Sequence, residues 1–335
     1  MSHPPDPSPI RIGPHTLRNP VFLAPMSGVS DTVFRKLAWR FGAGMVVSEM
    51  VASEAWLTGQ AEMELKSAAA GLPVHMVQLA GCEAHWMAQA ARHAEANGAD
   101  IIDINMGCPS KRVTNGQSGS ALMRDLDHAA QLVRAVVGAV QVPVTLKMRL
   151  GWSPATINAP ELARRAQDIG VAMITVHGRT RDQFYKGEAD WRAVKAVRDA
   201  IQVPLLVNGD ITNTEDAREA IAASGADGVM VGRASYGTPW LPGTIAAELT
   251  QTALPEIPSL ADLVAEHYEG LVALYGPVLG VRNARKHIDW YSAHLDDRTH
   301  YLTERQAMLT GDDPKTVLAA IGRVFSEAPA LASAA

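Results

Sequence analysis

From residue 20 to about residue 250, short apolar and often β-branched runs alternate with stretches whose apolar positions recur at helical spacing. This is the order expected when parallel strands are joined by crossover helices. Eight runs read as strands: Val21 to Ala24, Met45 to Glu49, Val74 to Leu79, Ile101 to Asn105, Val144 to Arg149, Met173 to His177, Leu205 to Asn208 and Gly228 to Val231. Their near-continuous apolarity predicts burial on both faces. Some are preceded by glycine-led turns (Gly42-Ala43-Gly44, Gly98-Ala99-Asp100, Gly170-Val171-Ala172, Gly225-Ala226-Asp227), where glycine can end a helix in a left-handed conformation. Others open on proline (Pro73, Pro143, Pro204), tolerated at a strand's first residue.

Eight units favour a closed TIM (β/α)8 barrel over an open doubly wound α/β sheet, and the polar residues sharpen the choice. Gln78, Asn105, Lys147, Arg149, His177, Asn208 and Arg233 fall at or just past C-terminal strand ends, the face where barrel enzymes place their chemistry. Around residues 250 to 258 the pattern breaks at Leu254-Pro255-Glu256-Ile257-Pro258, which reads as a linker. Leu263, His267, Leu271 and Leu274 then share one helix face, and Val281 to His294 predicts a second helix. The chain therefore divides into an N-terminal arm (1–19), a catalytic barrel (20–250) and a linker with a small C-terminal all-helical domain (251–335).

Composition fits a packed globule: 335 residues, 47% hydrophobic and 19% charged. Met1 to Pro9 is polar, holds four prolines and resembles no secretory signal, and no run is apolar enough to span a bilayer, so a cytoplasmic protein without a membrane partner is expected. Two cysteines, Cys82 and Cys108, make no disulfide framework. A net charge of −5 argues against a general nucleic-acid coat and leaves room for a local basic patch.

Cys108 follows a strand end between Gly107 and Pro109, a setting that favours function over burial as a small hydrophobe. Cys82 has no such context and reads as structural. Lys147 and Arg149, two apart on one strand, face the same way. Side by side inside a barrel they call for an anion or an electron-rich ring, with an ion pair to Asp103 or Glu49 as the alternative. Gly209 and Gly232, with Arg233, lie after strands seven and eight, the usual phosphate corner of barrels. Arg282, Arg285 and Lys286 recur at helical spacing as one basic face. No dinucleotide fingerprint, phosphate loop or metal-binding helix is present, so no metal is expected.

Taken together and in order, Ala24-Pro25-Met26, Asn105-Met106-Gly107-Cys108-Pro109, Lys147-Met148-Arg149, His177-Gly178-Arg179-Thr180, Asn208-Gly209-Asp210, Gly232-Arg233 and Gly280-Val281-Arg282-Asn283-Ala284-Arg285-Lys286-His287 resemble the signatures of bacterial tRNA-dihydrouridine synthases, most closely the B-type branch. The resemblance covers nearly the whole chain. It implies FMN held by Ala24, Pro25, Met26, Gln78, Lys147, Asn208, Gly209, Asp210, Gly232 and Arg233, with His177 beside it. It implies Cys108 as proton donor, NADPH as a transient reductant that leaves before tRNA arrives, and a D-loop uridine as substrate. Hydride would add at uracil C6 and a proton at C5. Asn105 and Arg149 are expected at the uracil carbonyls, Lys111 and Arg112 at neighbouring phosphates, and Arg282, Arg285 and Lys286 on the tRNA. A monomer is expected.

Overall fold

The computed structural model describes residues 9–295, 302–326 and 328, so that of Met1 to Pro9 only the last is described. A two-strand antiparallel hairpin, β1 (Arg11–Ile12) and β2 (His15–Thr16), precedes eight parallel strands. These are β3 (Val21–Leu23), β4 (Met45–Ala52), β5 (Met76–Ala80), β6 (Ile101–Met106), β7 (Val144–Arg149), β8 (Met173–His177), β9 (Leu205–Asn208) and β10 (Gly228–Val231). They close in sequence order, β10 pairing with β3 through Val229 opposite Val21 and Val231 opposite Leu23. The barrel expected from the sequence is present, with β7 to β10 at the expected bounds. Strand β4 runs beyond Glu49 to Ala52 across an irregularity between Val47 and Met50, and β5 begins two residues later than expected.

The period-two alternation of a strand sorts side chains between two layers. On β6, Ile102, Ile104 and Met106 pack outward against the helices, while Ile101 joins the barrel interior and Asp103 and Asn105 share its face. On β7, Val144, Leu146 and Met148 face outward, which leaves Thr145, Lys147 and Arg149 inside. Crossover helices begin on caps such as Asp125, whose carboxylate accepts from the Asp127 and His128 amides at 3.1 and 3.0 Å. Gly170 and Gly225 stop two of them at φ 118° and 67°.

Ile10, Ile12 and Leu17, from and beside the hairpin, join Phe22, Met45, Met76, Ile101 and Met173 in one buried cluster. The hairpin therefore seals the N-terminal end of the barrel, and the polar strand ends open at the other. Sequence reading placed no element there, because strands of two residues carry no periodicity.

A helix from Leu260 to Tyr291 leaves the barrel through the expected linker and breaks at Gly276 (φ 78°, ψ 168°), just before Pro277. The two predicted helices are its halves. Leu263, His267 and Leu271 are buried, whereas Leu274 is only partly so. With helices Leu302–Thr310 and Pro314–Phe325, this segment packs on Leu37 of helix Thr32–Arg40 and on Phe41 just after it. No described helix is long and apolar enough to cross a membrane.

Candidate active site at the barrel mouth

Four polar side chains on neighbouring strands form one buried chain of hydrogen bonds. Thr145 and Gln78 both donate to the Asp103 carboxylate at 2.6 Å, and the Asn105 amide donates to Gln78 Oε1 at 2.7 Å. Asn105 Oδ1 then accepts from the Gly107 and Cys108 amides at 3.1 and 2.9 Å. Asn105 is thus committed to holding the loop that carries Cys108. From the other side, Ser120 donates through its hydroxyl and its amide to the Cys108 carbonyl at 2.8 and 3.1 Å. Gly119 (φ 61°) is required there, since a Cβ would lie 2.8 Å from that carbonyl oxygen.

Burial favours the protonated thiol. Burial pushes Cys108 above its ordinary value, against the Ser110 amide and the positive charges of Arg149 and Lys147. Lys147 is brought down to about 8 by burial and by Arg149, with Asp103 opposing. Its ammonium donates to Asn208 Oδ1 at 3.1 Å, and Asn208 donates in turn to the Met230 carbonyl at 2.7 Å. Among the described residues, one acceptor meets the ammonium's three donors. Neither alternative ion pair forms: among the described residues no carboxylate lies within 4.0 Å of Lys147, and Asp103 is satisfied by neutral donors.

Arg149, 1% exposed, donates to the carbonyls of Gly107, Thr180 and Phe184 at 2.8, 2.9 and 2.9 Å. It ties the Cys108 loop to the loop after β8. That loop carries Phe184 and Tyr185, both exposed, and the Arg233 guanidinium lies 4.4 Å from the Tyr185 ring centroid. The sequence does not single out this pair, because exposed aromatics in a loop carry no periodic signal.

In the loop after β9, Gly209 adopts φ 115° and a Cβ would lie 2.8 Å from His177 Cδ2. Asp210 (φ 56°) accepts from Arg179 at 2.9 and 2.5 Å and from the Ala189 amide at 2.8 Å. Burial raises the Asp210 carboxyl, and the Arg179 hydrogen bonds, the Ala189 amide and the charges of Arg179 and Arg233 together outweigh it, leaving it below its ordinary value. Arg179 is a supporting residue visible in sequence only as part of a signature. His177 is buried and held well below its ordinary range by burial and by Arg149, Lys147, Arg179 and Arg233, so its imidazole is neutral at pH 7. Gly232 leaves open space next to Ala24, and Arg233 is half-exposed. Met26 heads the loop after β3, its amide accepted by the Ser30 hydroxyl at 2.8 Å.

The outlying basic residues are not displayed alike. Lys111, Arg112 and Arg282 are exposed. Arg285 donates to the carbonyls of Thr310 and Gly311 and to Asp312 at 3.2, 3.0 and 2.8 Å. Lys286 is partly buried against the barrel, so the three C-terminal cations form no single open face.

The thiol, the half-buried Lys147 ammonium and the glycine-shaped corner stand at the C-terminal ends of a closed parallel barrel, the face on which barrel enzymes carry their chemistry. The sequence profile of the family Dihydrouridine synthase (Dus) matches residues 22–325. The chain is 53% identical over 304 residues to a probable tRNA-dihydrouridine synthase of Rhizobium leguminosarum bv. phaseoli, covering 91% of this chain and 94% of that one. It is 43% identical to tRNA-dihydrouridine synthase B of Pseudomonas putida, covering 96% and 95%. The chain belongs to the dihydrouridine synthase family and is with it a flavin-dependent oxidoreductase. Among solved structures, histamine dehydrogenase from Rhizobium sp. 4-9 superposes with a TM-score of 0.53 at 16% identity, covering 79% of this chain and 50% of that one. The old yellow enzyme homologue from Zymomonas mobilis gives 0.52 at 16%, covering 76% and 94%. At such identity the likeness bears on the fold alone.

Proposed function

We propose that this protein is an FMN-dependent tRNA-dihydrouridine synthase, monomeric and cytoplasmic, that reduces the C5=C6 bond of D-loop uridine with NADPH as reductant. One observation carries the reading: among the described residues, Lys147 and Arg149 stand side by side inside the barrel with no carboxylate on either, and Lys147 has one acceptor for its three donors. Charge held out of water without a counter-ion is costly, and an electron-rich ring with a phosphate tail would offset that cost. The residues fit such a group. Lys147 would meet the electron-rich edge of the ring and neutral His177 would lie beside it. Ala24, Pro25, Met26, Gln78 and Asn208 would line it, and Gly209, Asp210, Gly232 and Arg233 would shape the phosphate corner.

When bound, the flavin supplies the hydride that adds at uracil C6. The protein supplies the proton. Addition at C6 leaves enolate character conjugated with the C4 carbonyl, and C5 must then be protonated. A Cys108 kept as a thiol by its burial has that proton to give, and Asn105 and Arg149 fix the loop that aims it. Asn105 and Arg149, expected at the uracil carbonyls, would serve chiefly as holders of the loops around the base, since their polar groups are bonded within the protein. Lys111, Arg112 and Arg282 would meet backbone phosphates, with Arg285 and Lys286 behind them. A base must leave its stack to reach a barrel mouth, which favours unpaired loop nucleotides.

The decisive variant is Cys108→Ala. It is expected to purify with bound flavin that NADPH still reduces, and to lose dihydrouridine formation on unmodified tRNA by about 100-fold or more. Product at the parent rate would remove Cys108 from the role, and a parent protein without flavin absorbance would remove the proposal.

A further inference from the structure

The helix bearing the C-terminal cations meets the barrel at two loops of the site. Lys286 and Trp290 are four apart on that helix and share a face. They reach the loops on either side of the seam where β10 pairs with β3. One loop, residues 26–31, begins at Met26 of Ala24-Pro25-Met26. The other, residues 232–237, carries Gly232 and Arg233.

At the first loop, the Lys286 ammonium lies over Gly28, 3.1 Å from where a Cβ would stand. The Gly28 amide donates to the carboxylate of Glu49, which is 2% exposed. Glu49 and Asp31 are the carboxylates whose charge acts on Lys286. Tyr275, one residue before the helix break, donates to Asp31 Oδ2 at 3.3 Å. The loop is thus held from above by two residues of the broken helix. Glu49 is buried and needs positive charge close by, and Lys286 contributes it together with Lys66 and Arg35.

At the second loop, the Trp290 ring stacks on Tyr236 with centroids 4.0 Å apart and planes 12° apart. Gly237 (φ 69°) approaches so closely that a Cβ would lie 2.7 Å from the Trp290 carbonyl carbon and oxygen. His294 bonds the Gly237 carbonyl at 3.0 Å. Tyr236 stands three residues beyond Arg233.

We infer that Lys286 and Trp290 are positioning residues that hold the two loops in shape for the flavin, making the C-terminal helix part of the cofactor site's scaffold. This rests on the flavin reading above. Neither loop is a strand or a long helix, so the entropy of ordering it would otherwise oppose binding. Lys286, read from sequence as a phosphate ligand, turns its charge toward the barrel.

The test uses the full-length flavin-loaded protein with Lys286→Met and Trp290→Ala. FMN dissociation is followed by recovery of flavin fluorescence, and loop order by amide hydrogen exchange. Each variant is expected to hold FMN at least about 10-fold more weakly. Each should speed exchange in the loop it touches, 26–31 for Lys286→Met and 232–237 for Trp290→Ala, while β6 and β7 exchange as in the parent. Lys286→Arg and Trp290→Phe are expected to restore most of the affinity. Should Trp290→Ala fail to fold, Trp290→Phe and Lys286→Met decide by the same readouts. Unchanged exchange and FMN affinity in folded variants, with tRNA binding alone weakened, would overturn the inference. If the parent carries no flavin, the proposed function falls, and the exchange measurements still decide the scaffold role.

Discussion

Lys147 shows how much a single residue can reveal from sequence. Its spacing from Arg149 placed both cations on one strand face, and β7 has the expected bounds. What sequence left open was the partner, because an ion pair depends on where Asp103 and Glu49 point, and that is set by other strands. The structure gives Asp103 to Gln78 and Thr145, and Glu49 to Gly28. A testable consequence follows for pH. With a folded value near 8 against an ordinary 10.5, the unfolded chain binds a proton between those limits that the folded chain does not. The penalty for burying the charge is therefore complete below pH 8 and gone above pH 10.5, so stability rises with pH through that window. In urea unfolding of the flavin-free protein, the parent is expected to gain roughly 1–3 kcal/mol on Lys147→Met across it. Parallel curves for the two proteins would contradict this. Asn105 was legible as a polar residue at a strand end, but its bonding was not, since both ends of its amide are used inside the protein and no spacing rule shows that. Asn105→Ala leaves the Gln78 carbonyl and two loop amides without partners, and is expected to cost about 1–3 kcal/mol in thermal unfolding.

At the scale of elements, the strands were readable because alternation and apolarity are local. The strands β7 to β10 have the expected ends because proline or glycine marks their starts and polar residues mark their mouths. Strand β4 was underestimated because Glu49 looked like an ending, whereas the strand carries that carboxylate in its interior and runs on to Ala52. The loop after β9 makes the clearest element-scale prediction. Gly209→Ala must place a methyl group at φ 115° within 2.9 Å of the His177 ring and the Ala189 Cβ. It is expected to cost about 1–3 kcal/mol in a melt and to weaken flavin binding, with strand exchange unaffected. A variant as stable as the parent would show that this corner relaxes freely.

On the scale of the whole molecule, the C-terminal helices were legible as helices but not as a surface. Helical spacing grouped Arg282, Arg285 and Lys286, yet Arg285 staples residues 310–312 and Lys286 rests on the barrel, which leaves Arg282 outward. The salt dependence of tRNA binding separates these roles. Arg282→Ala and the pair Lys111→Ala with Arg112→Ala are each expected to weaken binding and to flatten the slope of log K against log salt by about one for every phosphate left without its cation. A slope that stays put in both would place the RNA elsewhere on the surface.

The hairpin of β1 and β2 plugs one end of the barrel with Ile10, Ile12 and Leu17. A vessel stoppered at its base has a single doorway, and on the proposed function reductant and nucleic acid would take turns in it. Steady-state rates measured at several fixed concentrations of NADPH should accordingly give parallel double-reciprocal lines against tRNA, and excess of either should inhibit the other.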